Sequence, residues 1–200
     1  MKHIERSEIL GLGEYEAIRD QFRTRVILEK RIRRVQLGPH VTALFENRDT
    51  VLLQIQEMLR TERITREGAI QHEIDTYNAL IPQNNELSTT VMIEIPDPEA
   101  RTSFLASAVG FESYIAIAID GHIVRAHSSQ KPDSRVDTTR TTAVHYLKFA
   151  LSDSEAKQLR NATSYSQRDI AFELIADHPV YQARTRLWAA AVASIAADVE

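Results

Sequence analysis

Between Leu44 and Pro82 the chain reads LFENRDTVLLQIQEMLRTERITREGAIQHEIDTYNALIP, and this stretch restricts the fold more than any other. Val51, Leu52, Ile55, Met58 and Leu59 recur at helical spacing after Asp49, which reads as an N-cap for a helix to about Arg63. Thr65 is the next cap, opening a helix to about Leu80 that Pro82 terminates. The break between the two is very short, so the expectation is that they pack as a hairpin. Gln54, Glu57, Glu73, Tyr77 and Asn78 interrupt its apolar stripe. Long polar side chains this close to a core face are costly unless partnered, so they either hold two helices in register or form a ligand-binding site.

The remaining segments alternate between the two periods. Glu14 to Arg34 is helical, with an arginine-rich polar side, and the chain then breaks at Gly38-Pro39. Val41, Ala43 and Phe45 alternate with Thr42, Leu44 and Glu46 as a strand. Beyond Asn84-Asn85, Leu87 to Ile95 is a second strand, and Asp97-Pro98 opens a helix to about Val109. Asp120-Gly121 joins Tyr114–Ile119 to His122–His127 as a hairpin. Gln130 to Arg140 is polar and reads as a loop, and Thr142–Leu151 places Ala143, His145, Leu147 and Phe149 on one strand face. Ser152 and Glu155 make a capping box, Ile170–Ile175 a last strand, and Asp177-His178-Pro179 the start of a final helix reaching about Ala197. No βαβ repeat and no linker rich in Gly, Pro or Ser appears. The expectation is an α+β fold: a mostly antiparallel sheet of about five to six strands packed with helices, including the hairpin at about 50–81, with residues 1–200 as a single domain.

Composition sets limits on chemistry. With 43% apolar and 26% charged residues the chain can build an ordinary core. A net charge of −4 argues against nucleic acid as the main ligand. Cysteine is absent, which excludes thiol nucleophiles, disulfides and any cysteine-ligated iron–sulfur cluster in this chain, and leaves any other cofactor open. The first ten residues are too charged for a signal peptide, and no apolar run approaches the length of a membrane span, so a cytoplasmic location is expected.

No standard catalytic motif stands in the sequence. Gly11-Leu12-Gly13 lacks a third glycine and a preceding strand, and there is no P-loop, HExxH, GxSxG or EF-hand loop. Glu57 and Glu73 sit at matching distances from the hairpin turn, and a carboxylate-rich site between helices suits iron, manganese or magnesium. The candidate metal set is Glu57, Glu73, His145 and His178; the bland alternative is that both glutamates pair with arginines such as Arg48 and Arg60, and that His145 is a satisfied core residue. Arg19, Arg23, Arg25, Lys30, Arg31, Arg33 and Arg34 make the first helix basic, either as an anion patch or as a solvated face. Trp188, Ala189, Val192 and Ile195 fit a self-associating homo-oligomer stripe and a core stripe equally well.

FENRDTVLLQIQEMLRTERI, EIDTYNALIP, AVHYLKF and DHPVY together resemble a bacterial family known as domain of unknown function 3501, from the EYEAIRDQFR region to DHPVY. The resemblance implies a setting beside rubrerythrin-like and iron–sulfur proteins, hence a role near peroxide or iron metabolism with redox protein partners. Two readings follow: an accessory protein docking on a redox partner, or a metal-dependent or small-molecule enzyme using the seam between residues 54 and 78.

Overall fold

Among residues 1–129, 139–161 and 170–199, which the computed structural model describes, the chain forms six α-helices and nine β-strands. In order these are α1 (Leu12–Arg33), β1 (Arg34–Leu37), β2 (Val41–Glu46), α2 (Arg48–Thr61), α3 (Glu67–Asn78), β3 (Glu86–Ile93), α4 (Pro98–Ser107), β4 (Ile115–Ile119) and β5 (His122–Arg125). There follow β6 (His127–Ser128), β7 (Val144–Ala150), α5 (Asp153–Asn161), β8 (Phe172–His178), β9 (Tyr181–Arg186) and α6 (Ala189–Ala196). The α+β class matches expectation. The strands, however, divide into two antiparallel sheets, β1-β2-β3-β7-β6 and β5-β4-β8-β9, in place of one sheet of about five to six.

The two sheets face each other across one core and are tied on both sides. On one side the chain crosses from β5 to β6 through Ala126, whose amide donates to Ile115 O (2.9 Å). On the other, β9 lies beside β1 without a backbone ladder, and side chains close the gap: the Tyr181 hydroxyl donates to Leu37 O, and Thr185 Oγ1 to Gln36 O (2.8 Å). A Cβ at Gly38, whose φ is +71°, would come within 2.5 Å of that Tyr181 hydroxyl, so glycine serves both the turn and the seam. Inward residues of both sheets, among them Phe45, Val91, Ile117, Phe149 and Phe172, fill the space between them, and Val192 and Ile195 of α6 join the same core. Trp188 remains exposed.

A second core lies among the N-terminal segment, α2 and α3, built on Ile4, Ile9, Val51, Ile55, Leu59, Ile70 and Ile74. The hairpin expected at 50–81 is present, with α2 and α3 packed together. Arg63, at φ +52°, ends α2, and the Ile64 amide donates back to Leu59 O (2.9 Å), closing the turn in a Schellman-like manner. The cap of α2 falls two residues earlier than expected. Asn47 Oδ1 accepts from Thr50 N and Thr50 Oγ1 from Asn47 N, both at 3.0 Å, while Asp49 pairs with Arg25. Arg66, without a side-chain cap bond, precedes α3 where Thr65 was expected.

The largest departure is at the C-terminus. Asp177-His178-Pro179 does not open a helix to Ala197: β8 runs through His178, Pro179-Val180 form a two-residue loop, and β9 follows in register with His178 opposite Tyr181. Proline at a helix start and proline in a tight hairpin look alike locally, and the sheet supplies the partner strand that decides between them. The Asp120-Gly121 hairpin forms as expected, with both residues at positive φ. The loop expected at Gln130–Arg140 lies mostly outside the described residues.

Candidate functional site

The antiparallel packing of α1 on α2 determines where the polar residues of the hairpin point. Glu57 faces α1: its carboxylate accepts from the Tyr15 hydroxyl (2.7 Å) and from Nε and Nη2 of Arg19 (2.7 and 2.8 Å). The bidentate Arg19 bond holds the Glu57 carboxyl below its ordinary range, and burial, then Glu57 itself, pushes the Tyr15 phenol upward. Neither Arg48 nor Arg60 is its partner; those bind Glu8 and Glu16. Further along the same interface Arg25 pairs with Asp49, and Asn47 donates to Glu29. The helix pair is thus stitched by polar bonds along its length.

Gln54 and Tyr77 lie near each other: burial raises the Tyr77 phenol, and the neighbouring Gln54 side chain opposes the rise. Glu73, half-buried on α3, lies close enough to Tyr77 to add to the rise. Asn78 has a different task. Its Oδ1 accepts from Ile4 N and its Nδ2 donates to Ile4 O, both at 2.9 Å, so it clamps the N-terminal segment at two points. Gln56 repeats the device on Leu10, accepting from its amide at 2.7 Å and donating to its carbonyl at 3.4 Å. Sequence reading passes over Gln56, because a side chain that imitates a backbone partner leaves no periodic signal.

His145 and His178 lie elsewhere, on the strands, each packed on Phe111 with ring centroids 6.0 and 5.9 Å apart. His145 Nε2 is 3.2 Å from Thr141 Oγ1 and its Nδ1 is 3.6 Å from Glu112; burial lowers its pKa, so it is neutral at pH 7. His178 Nδ1 accepts from Val180 N (3.3 Å), which leaves the proton on Nε2 to donate to Val109 O (3.2 Å). Among the described residues no three His, Asp or Glu side chains converge in the way a metal ion needs.

Three buried charged residues, Glu46, Arg33 and Asp198, escaped the sequence reading as such. Glu46, 1% exposed at the end of β2, accepts from the hydroxyls of Thr50 and Thr90 (the latter at 2.6 Å). Arg33, also 1% exposed, donates to Phe45 O (2.8 Å), Glu46 O (3.2 Å) and Ser194 O (2.8 Å), and pairs with Asp198. Burial pushes the Asp198 carboxyl up to about 6 against the pull of Arg33. These residues are 165 positions apart, and only the tertiary fold brings them together.

Beside the Glu57–Arg19 pair a groove of about 400 Å³ opens between α1 and α2. From α1 come Arg23, Ile27 and Lys30; from α2 come Leu53, Gln54, Glu57 and Met58, with Thr61 and Glu62 at one end. Two of the sequence candidates, Gln54 and Glu57, therefore line a cavity. The basic side chains of the first helix also sort themselves. Arg19, Arg25, Arg33 and Arg34 each have a carboxylate partner. Arg23, Lys30 and Arg31 have none among the described residues, and the first two line the groove.

No curated protein matches the chain. A family model described as "Protein of unknown function (DUF3501)" matches residues 3–199. Among solved structures the chain is similar to a novel protein of unknown function from Burkholderia pseudomallei K96243. The two share 32% sequence identity over 100% of both chains, with a TM-score of 0.88.

Proposed function

The chain belongs to the family of proteins of unknown function DUF3501, and on that premise we propose that it is an accessory component that docks on a partner protein of a peroxide- or iron-related redox module. The observation that carries this reading is the groove between α1 and α2, in which two cations without carboxylate partners flank apolar walls. Cations left unpaired on a protein of net charge −4 are available to a partner's carboxylates, and such complementarity speeds and orients protein association. The absence of cysteine is consistent: electrons would be carried by centres in the partner, and this chain would position or regulate it. The redox setting itself rests on the family resemblance alone. The test is capture of rubrerythrin-like and iron–sulfur proteins of the host by the immobilised full chain at about physiological salt, where screening still permits charged contacts within roughly 8 Å. Specific capture is the expected outcome; repeated failure across these partners counts against the reading.

The competing reading, a metal-dependent or small-molecule enzyme using Gln54, Glu57, Glu73, Tyr77 and Asn78 with His145 and His178, draws support from the Gln54–Tyr77–Glu73 proximity. It is weakened by the engagement of Glu57 with Arg19 and of Asn78 with Ile4. Near-stoichiometric metal in protein purified without a metal-affinity step, lost in Glu73→Gln, would restore it.

A further inference from the structure

The groove makes a more specific demand than a general attraction for anions. Arg23, Ile27 and Lys30 fall at positions i, i+4 and i+7 of α1, so they form one stripe, cation–apolar–cation, spanning about 10 Å of helix. Opposite them α2 presents Leu53 and Met58, with the amide of Gln54 between. Methionine is an adaptable surface for an incoming apolar side chain. The acid nearest the centre, Glu57, is already neutralised by Arg19 and does not repel a carboxylate. Glu62, at the far end, has no cation partner among the described residues and repels one. The groove is thus attractive to acid along Arg23–Lys30 and repulsive at the Thr61–Glu62 end.

We propose, resting on the docking reading above, that the groove receives an acidic amphipathic helix of the partner protein. Its carboxylates, two turns apart, meet Arg23 and Lys30, and an apolar residue between them fills the space bounded by Ile27, Leu53 and Met58. A helix whose face reads acid–apolar–acid at i, i+3 or i+4, and i+7 matches the stripe on α1 position for position. Glu62 lies beyond this stripe, so the incoming helix carries no further acid toward the Thr61–Glu62 end. A nucleic acid strand fits poorly, because two free cations beside two glutamates neutralise too few phosphates. A single-headed amphiphile would engage only one of the two cations.

The chain has three methionines, Met1, Met58 and Met92, so ¹³C-methyl-methionine labelling gives a resolved reporter inside the groove. The probe is a synthetic helical peptide of about 15 residues bearing two glutamates seven apart with leucine between them, titrated into the labelled full chain. The expected result is movement of the Met58 methyl signal with Met92 unmoved. Affinity should fall about tenfold in Arg23→Glu/Lys30→Glu and several-fold when the peptide's glutamates become glutamine, the scale for losing interfacial charge pairs. Because Arg23 and Lys30 make no ion pair among the described residues, both variants should keep their thermal midpoint; Arg23→Gln/Lys30→Gln provides a second, uncharged version. An unmoved Met58 signal at millimolar peptide, or movement unchanged in both variants, overturns the proposal. So does movement by decanoate but not by the peptide, which would identify a site for a small amphiphile. Partner capture that survives Arg23→Glu/Lys30→Glu would leave docking intact but place it on another face, whereas loss of capture alone with the peptide still bound would implicate the choice of partner.

Discussion

Asp198 illustrates how one residue can make stability depend on pH. Its carboxyl is buried, and burial raises its pKa from the ordinary 3.8 to about 6 despite the guanidinium of Arg33 beside it. A group whose folded pKa lies above its unfolded value contributes stability that is fully present below the unfolded pKa. That contribution is lost as pH rises through the folded pKa. Asp198 therefore favours the folded state most below about pH 4 and loses this contribution between about pH 4 and 6. Glu57 acts in the opposite sense: Arg19 holds its pKa below the ordinary 4.5, so its contribution is present above that pH and lost on further acidification. Asp198→Asn should flatten the fall in stability between pH 4 and 6 while leaving the acid limb near pH 3 in place, as read by denaturant unfolding across that range. An unchanged slope between pH 4 and 6 would refute the assignment. At this scale the sequence is a partial guide. Alternation along β7 already places His145 on a buried face, whereas its neighbours Phe111 and Glu112 come from a distant segment and have no local signature.

Among the elements, α2 and its two ends show what local rules can and cannot determine. Its apolar stripe and its existence follow from spacing, but two nearby residues, Asn47 and Asp49, are both able to cap it. Asn47 wins because its extended backbone lets it exchange bonds with Thr50, while Asp49 is drawn off by Arg25 on α1. The other end carries a strain that can be relieved. Arg63 adopts the left-handed conformation at the position where glycine ordinarily closes a Schellman turn, at a cost on the order of 1 kcal/mol. Arg63 has no ion pair among the described residues to lose, so Arg63→Gly should raise stability by about 0.5–1 kcal/mol, seen as a higher thermal midpoint. A lower midpoint would mean that the arginine contributes more than its backbone costs. The C-terminal segment is the counter-example, where a local signal misleads. Tyr181, Ala183 and Thr185 alternate with Gln182, Arg184 and Arg186, a period-two pattern that the Asp-His-Pro signal and the following alanine run obscure.

For the whole molecule, the question is how the sandwich between the sheets and the core among α2, α3 and the N-terminal segment hold together. Helix α1, bonded to α2 along its face, spans from one to the other, and Arg33 anchors its far end to the sandwich. From the end of α1 it bonds the β2 backbone at Phe45 and Glu46 and reaches Ser194 and Asp198 at the C-terminus. Replacing it with methionine leaves a buried Asp198 without its cation and three carbonyls without their donor, a loss of about 3–5 kcal/mol. If the two cores unfold as one unit, Arg33→Met lowers the midpoints of Trp188 fluorescence and of helical circular dichroism together. Separated midpoints would show that they unfold as two units.

The sequence by itself determined the α+β class, the helical hairpin, the Asp120-Gly121 turn, the buried face of β7 and the cysteine-free chemistry, because each depends on period, on a turn residue or on composition. Tertiary structure alone decided that the strands split into two sheets, that β9 replaces half of a helix, and that Glu57 turns to Arg19. It also decided that Arg23 and Lys30, without ion-pair partners among the described residues, lie beside a groove. A side chain's partner is determined by which segments the packed cores bring into reach. That is a sum of long-range burial and desolvation energies which no window of the chain contains.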